Sequence, residues 1–156
     1  MHVILLIILG IVQLAVIPLI SIGSVVPDLV MILVVFLALK YGQLYGTAFG
    51  AIAGLYFDLI SGGIIGSAMF AKTISGFVAG YFYSDNKIEY NTATMFMLLI
   101  VFISSSINSF FYLLISSSEI KLTASHLILE QGILPGVYTT LFAIPVVVLN
   151  QKRKMI

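Results

Sequence analysis

The chain has 156 residues, 61% of them hydrophobic and 8% charged, with a mean hydropathy of +1.20, whereas a soluble domain is nearer a quarter charged. That excludes a soluble globular protein, and a formal net charge of +1 supplies no basic surface for nucleic acid. Cysteine is absent and the two histidines, His2 and His126, lie far apart, which removes disulfides, thiolate metal sites and cysteine nucleophiles and suggests no metal pair.

A spanning helix needs about 20 predominantly apolar residues, so the length accommodates roughly six spans with almost nothing left for a soluble domain. The expectation is an all-α integral membrane protein, a single transmembrane domain over 1–156 with six helices in one bundle. The spans are placed at about 3–20, 25–40, 43–60, 67–83, 92–115 and 133–149. The first run, Val3 to Ile20, has no basic flank before it and is longer than a signal-peptide core, so it reads as a retained span. Gln13 within it reads as a buried polar contact. The second stretch has an apolar core of only about 11 residues, Leu29 to Leu39, so it spans only if the helix starts near Val25 and runs through Lys40, and is otherwise broken or re-entrant. At its start, Pro27 and Asp28 fit a helix N-terminus, where proline is favoured and a carboxylate complements the macrodipole.

The third stretch carries the most specific pattern. Gly42, Gly46, Gly50 and Gly54 recur at intervals of four and lead at the same interval to Asp58. Each step of four advances about 40° around a helix, so the glycines form a slowly winding groove free of side chains. Glycine is a poor helix former, and four on one stripe need close packing in return. An intramolecular helix contact, a docking groove for another chain and a ligand cavity are the three readings. Asp58 sits near a helix C-terminus, where a negative charge is unfavourable, and needs a partner or water. Lys72 in the fourth stretch lies at the same level, so an Asp58–Lys72 pair across the Ser61 to Gly66 connection is the simplest expectation, beside a functional contact or snorkelling.

The fifth stretch places Ser104, Ser105, Asn108, Ser109 and Tyr112 on one face, which reads as interhelical hydrogen bonding or as the wall of a polar pocket. From Ser116 to Gly132 apolar and polar residues intermix, as either a short interfacial helix or a polar loop. Pro135 and Pro145 predict distortion of the sixth span. The Gln151 to Lys154 run places the C-terminus in the cytoplasm by the positive-inside rule, and six spans place the N-terminus there too. In that orientation Lys40 and Lys87 are cytoplasmic, with Lys72 and Lys121 opposite. Tyr41, Tyr45, Tyr81, Tyr83 and Tyr90 then gather at the cytoplasmic headgroup level. No nucleophile, base and orienting residue occur together, so neither catalysis nor a cofactor is expected.

The Pro27-Asp28-Leu29 opening, the glycine ladder ending at Asp58, and Gly62 and Gly66 after it, in a chain made of spans, resemble the MreD family of rod-shape-determining membrane proteins. The resemblance covers the chain in size and layout, with the distinctive residues between Pro27 and Gly80. It implies a bacterial inner-membrane component of the cell-elongation machinery with no enzymatic activity of its own. Such a protein binds the bitopic protein MreC and helps connect MreB filaments with a SEDS glycosyltransferase and a class B transpeptidase of the lateral wall. The family is also similar to the six-helix S-components of energy-coupling-factor vitamin transporters, which supplies an alternative function. An S-component is expected to show alanines at four-residue spacing in its first helix, and Leu9 to Ala15 lacks them.

Overall fold

A computed structural model describes residues 2–15, 17–21, 25–116 and 132–152. These form seven α-helices: α1 (His2–Ala15), α2 (Leu29–Tyr41), α3 (Gln43–Ser61), α4 (Ser67–Tyr81), α5 (Ile88–Ala93), α6 (Met95–Ser116) and α7 (Leu134–Lys152), with short 3-10 turns at Ile17–Ile20 and Asp85–Lys87. No β-strand occurs among the described residues. The candidate interfacial segment between Ser116 and Gly132, with Lys121 and His126, and the basic residues Arg153 and Lys154 lie outside them.

Helix α2 is apolar on every side, and such a helix belongs in the interior. Val30 through Leu39 are all buried except the half-buried Phe36, and α2 touches every other α-helix. Leu6 of α1, Phe49 and Ala53 of α3, Ala79 of α4, Met97, Ile100 and Val101 of α6, and Ala143 and Val147 of α7 complete the core around it. The outer surface is apolar as well: Ile4, Ile8 and Ile11 of α1, Leu44 and Leu59 of α3, Phe77 of α4 and Leu141 and Leu149 of α7 are all exposed. An apolar core inside an apolar exterior suits lipid rather than water. Helices α3, α6 and α7 are long and apolar enough to cross a membrane, whereas α1 and α2 are apolar but shorter.

Three helix bounds differ from the sequence expectation. The second helix starts at Leu29 rather than near Val25, because Asp28 is extended (φ −103°, ψ 91°) and caps it; its 13 residues rise about 20 Å. The first helix ends at Ala15 and gives way to the 3-10 turn. The fifth stretch is two helices, broken where Thr94 is extended (φ −123°, ψ 172°). Helix α7, by contrast, stays continuous through Pro145.

The glycine ladder divides by role. Gly42 does not join the groove: it links α2 to α3 with φ +95°, a conformation open to glycine and few others. Gly46, Gly50 and Gly54 lie directly against the backbone of antiparallel α4. A β-carbon on Gly46 would come 2.8 Å from the Gly76 carbonyl oxygen. One on Gly50 would strike the Lys72 carbonyl, and one on Gly54 the Ala68 carbonyl and Met69 Cα. Gly76 and Gly80 answer from the other side, against Gly46 and Gln43. The glycine stripe of α3 therefore lies against the backbone of α4, glycine to glycine at Gly46 and Gly76, and the groove is filled from within the chain.

Contacts fix the two ends of the molecule. At one, His2 Nδ1 meets the Tyr45 hydroxyl at 3.2 Å, Tyr41 and Tyr45 lie 4.9 Å apart, and the Asn150 and Gln151 amides donate to the Thr92 and Ala93 carbonyls at 3.1 and 2.7 Å. The N-terminus of α1 and the C-terminus of α7 share this end. Asp28 and the start of α4 lie at the other.

Candidate functional site

Asp28 joins four helices. One carboxylate oxygen accepts from the Met31 amide at 2.9 Å, which caps α2. The other takes the ion pair from Lys72 of α4 and a 3.1 Å hydrogen bond from Asn108 Nδ2 of α6. Its backbone amide donates to Thr139 Oγ1 of α7 at 3.0 Å. Gln13 of α1 adds a fifth helix, accepting from the Val30 amide at 3.0 Å. Lys72, only 2% exposed, lies 5.6 Å from the Phe57 ring centroid, close enough for a cation–π contribution. A desolvated ammonium needs such surroundings, because an unpaired charge in an apolar interior is expensive.

The expected Asp58–Lys72 pair is not formed, and Asp58 has a different partner. Its carboxylate, 1% exposed, accepts from the Gly66, Ala68 and Met69 amides at 2.9, 2.9 and 3.0 Å and from the Ser67 hydroxyl at 3.2 Å. These donors include the first amides of α4, which have no partner within their own helix. Gly66, with φ +101°, turns the chain so that its amide joins them. The residue at the unfavourable end of α3 thus lies at the favourable, positive end of α4. With those amides filling Asp58, Lys72 reaches across to α2 instead.

Beside the Asp28–Lys72 pair lies a cavity of about 300 Å3, walled by Gln13, Phe57, Asn108, Ser109, Tyr112 and Pro135 among others. Of the polar face expected on the fifth span, Asn108, Ser109 and Tyr112 meet this cavity. Ser104 and Ser105 do not line it; both are buried, and their hydroxyls have no hydrogen-bond partner. The Asn108 carbonyl oxygen is likewise buried and unpartnered. The structure therefore brings Asp28, Lys72 and Asn108 together and sets Asp58, Ser104 and Ser105 apart from them, while Gly50 of the seam packs against the Lys72 backbone. Thr139 was not visible from the sequence, where nothing distinguishes it from the adjacent Thr140. No group of three or more metal-ligating side chains occurs among the described residues.

A family model described as rod shape-determining protein MreD matches residues 1–153. No curated protein matches the chain, and neither does any solved structure.

Proposed function

The chain belongs to the family of rod shape-determining protein MreD, and from that premise we propose that it is a non-enzymatic scaffold of the bacterial elongation machinery. In this reading it binds MreC directly and helps couple MreB filaments to the SEDS glycosyltransferase and class B transpeptidase that build the lateral wall. The observation that carries the reading is the extent of the family match, residues 1–153 of 156. That the family is one of shape determination rather than catalysis agrees with it. The strongest ionic groups in the interior are also engaged in holding helices together: Asp58 caps α4, and Asp28 is held by Lys72, Asn108 and the start of α2.

The same proposal places the protein in the cytoplasmic membrane with six spans, and with both termini in the cytoplasm. The shared end of His2 and Lys152, together with the tyrosines around it, supports this orientation.

Depletion in the rod-shaped host, with pull-down of the tagged chain, tests the function. Rounding of cells and co-purification of MreC are the expected results. Unchanged rods, no MreC in the pull-down and a stoichiometric vitamin in the purified protein would replace the scaffold with the S-component-like transport role.

A further inference from the structure

We propose that the cavity beside the Asp28–Lys72 pair is a binding site for an uncharged amphiphile, whose polar end supplies hydroxyl or amide N–H donors. Three observations carry this. First, the charges cancel: Lys72 is sequestered in its pair with Asp28, so the site offers no net charge to attract an ion.

Second, acceptors are left over. The Asp28 carboxylate must face the NH2 of Asn108, which fixes the amide and leaves its carbonyl oxygen over, buried and without a partner. Lys72 is 2% exposed while Asp28 keeps 14%, so from the cavity the carboxylate is the accessible half of the pair. A ligand that donates hydrogen bonds meets the exposed edge of the carboxylate and, if the Asn108 side chain shifts toward the cavity, its spare carbonyl oxygen, whereas one that only accepts satisfies neither.

Third, the wall has an apolar part, with Val26, Phe57, Leu113 and Pro135, beside the polar side chains of Gln13, Ser109 and Tyr112. Its volume of about 300 Å3 is at the lower end of the range for ligand sites, which are mostly apolar with a few placed polar groups. In a chain whose exterior is suited to lipid, a molecule with an apolar body and a donor-bearing head fits that division. The inference is independent of the scaffold reading, because it concerns what the cavity holds and not which proteins the chain assembles with.

The test uses the full chain in phosphatidylcholine nanodiscs and n-octyl β-glucoside carrying a photoreactive diazirine in its alkyl chain, with labelled peptides identified by mass spectrometry. The expected result is saturable labelling around Phe57 and Leu113, displaced by unlabelled octyl glucoside. Octyl sulfate and octyltrimethylammonium should displace it at least tenfold less well. Asn108→Leu should reduce the saturable labelling about tenfold, and Leu113→Trp should do so by filling the cavity while leaving the ion pair intact. Leu99→Ala on the exposed face of α6 should leave it unchanged. Circular dichroism identifies any variant that fails to fold, and Leu113→Trp then decides alone. Unsaturable labelling, labelling unaffected by Leu113→Trp, or equal displacement by either charged amphiphile would overturn the proposal. Displacement by methyl β-glucoside as effective as by octyl glucoside would also overturn it, pointing to a soluble sugar.

Discussion

Asp28 and Asp58 look alike in the sequence, each a lone carboxylate near a helix end, yet they do different work. Asp58 fills the start of α4, so Asp58→Ala leaves several amides without an acceptor, and buried unsatisfied donors cost about 1–3 kcal/mol each. A loss of roughly 2–4 kcal/mol is expected in reversible unfolding in mixed micelles, given that single caps contribute about 0.5–2 kcal/mol. Asp58→Asn, which keeps one acceptor oxygen, should recover part of it. Asp28 answers to Lys72, so the losses from Asp28→Asn and Lys72→Met alone should sum to more than the loss from the double change, with a coupling of about 1–3 kcal/mol. Asp58→Ala combined with Lys72→Met should instead be additive within about 0.5 kcal/mol; strong coupling there would show that the two charges interact after all. Ser104→Ala and Ser105→Ala remove hydroxyls that have no partner, so each is expected to be neutral or to stabilise by up to about 1 kcal/mol in the same assay.

At the level of helices, the α3–α4 pairing depends on what its residues lack. Gly50→Ala puts a methyl group against the Lys72 carbonyl, and overpacking of this kind costs about 1–3 kcal/mol. Gly50→Leu should be worse, seen as a lower unfolding midpoint, while Gly42→Ala should be destabilising through its positive φ and not through a clash. Unchanged midpoints for both Gly50 variants would show that the two backbones do not approach. This stripe was legible in the sequence, because a four-residue repeat of glycine is a helical signal whatever the partner. The identity of the partner was not legible, since Gly76 and Gly80 lie in a separate segment and nothing in the repeat names them. The Asp58 cap was missed for a related reason: capping is sought in the residue just before a helix, and here the carboxylate comes eight to eleven positions earlier. The burial of α2 on all sides agrees with its unbroken apolar run, Leu29 to Leu39, but which helices surround it was not legible, because the run has no polar face to mark a partner.

For the whole molecule, the absence of cysteine makes orientation directly measurable. A cysteine at Lys152 should be protected from an impermeant thiol reagent in intact cells and react once they are opened; reaction in intact cells would reverse the proposed topology. One at His2 should behave the same way, since the two termini share one end of the fold. The seam between α3 and α4 also has a mechanical consequence. Where Gly46, Gly50 and Gly54 mesh against backbone carbonyls and Met69 Cα of α4, there are few side-chain rotamers to exchange, so this part of the contact has few nearby alternative packings through which to creep. It either keeps its register or separates. Helices α3 and α4 should therefore behave as one stiff strut, and any movement the protein makes when it is loaded by its neighbours in the membrane must pivot at joints where rotatable side chains meet, such as α6 against α7 or α1 against α2.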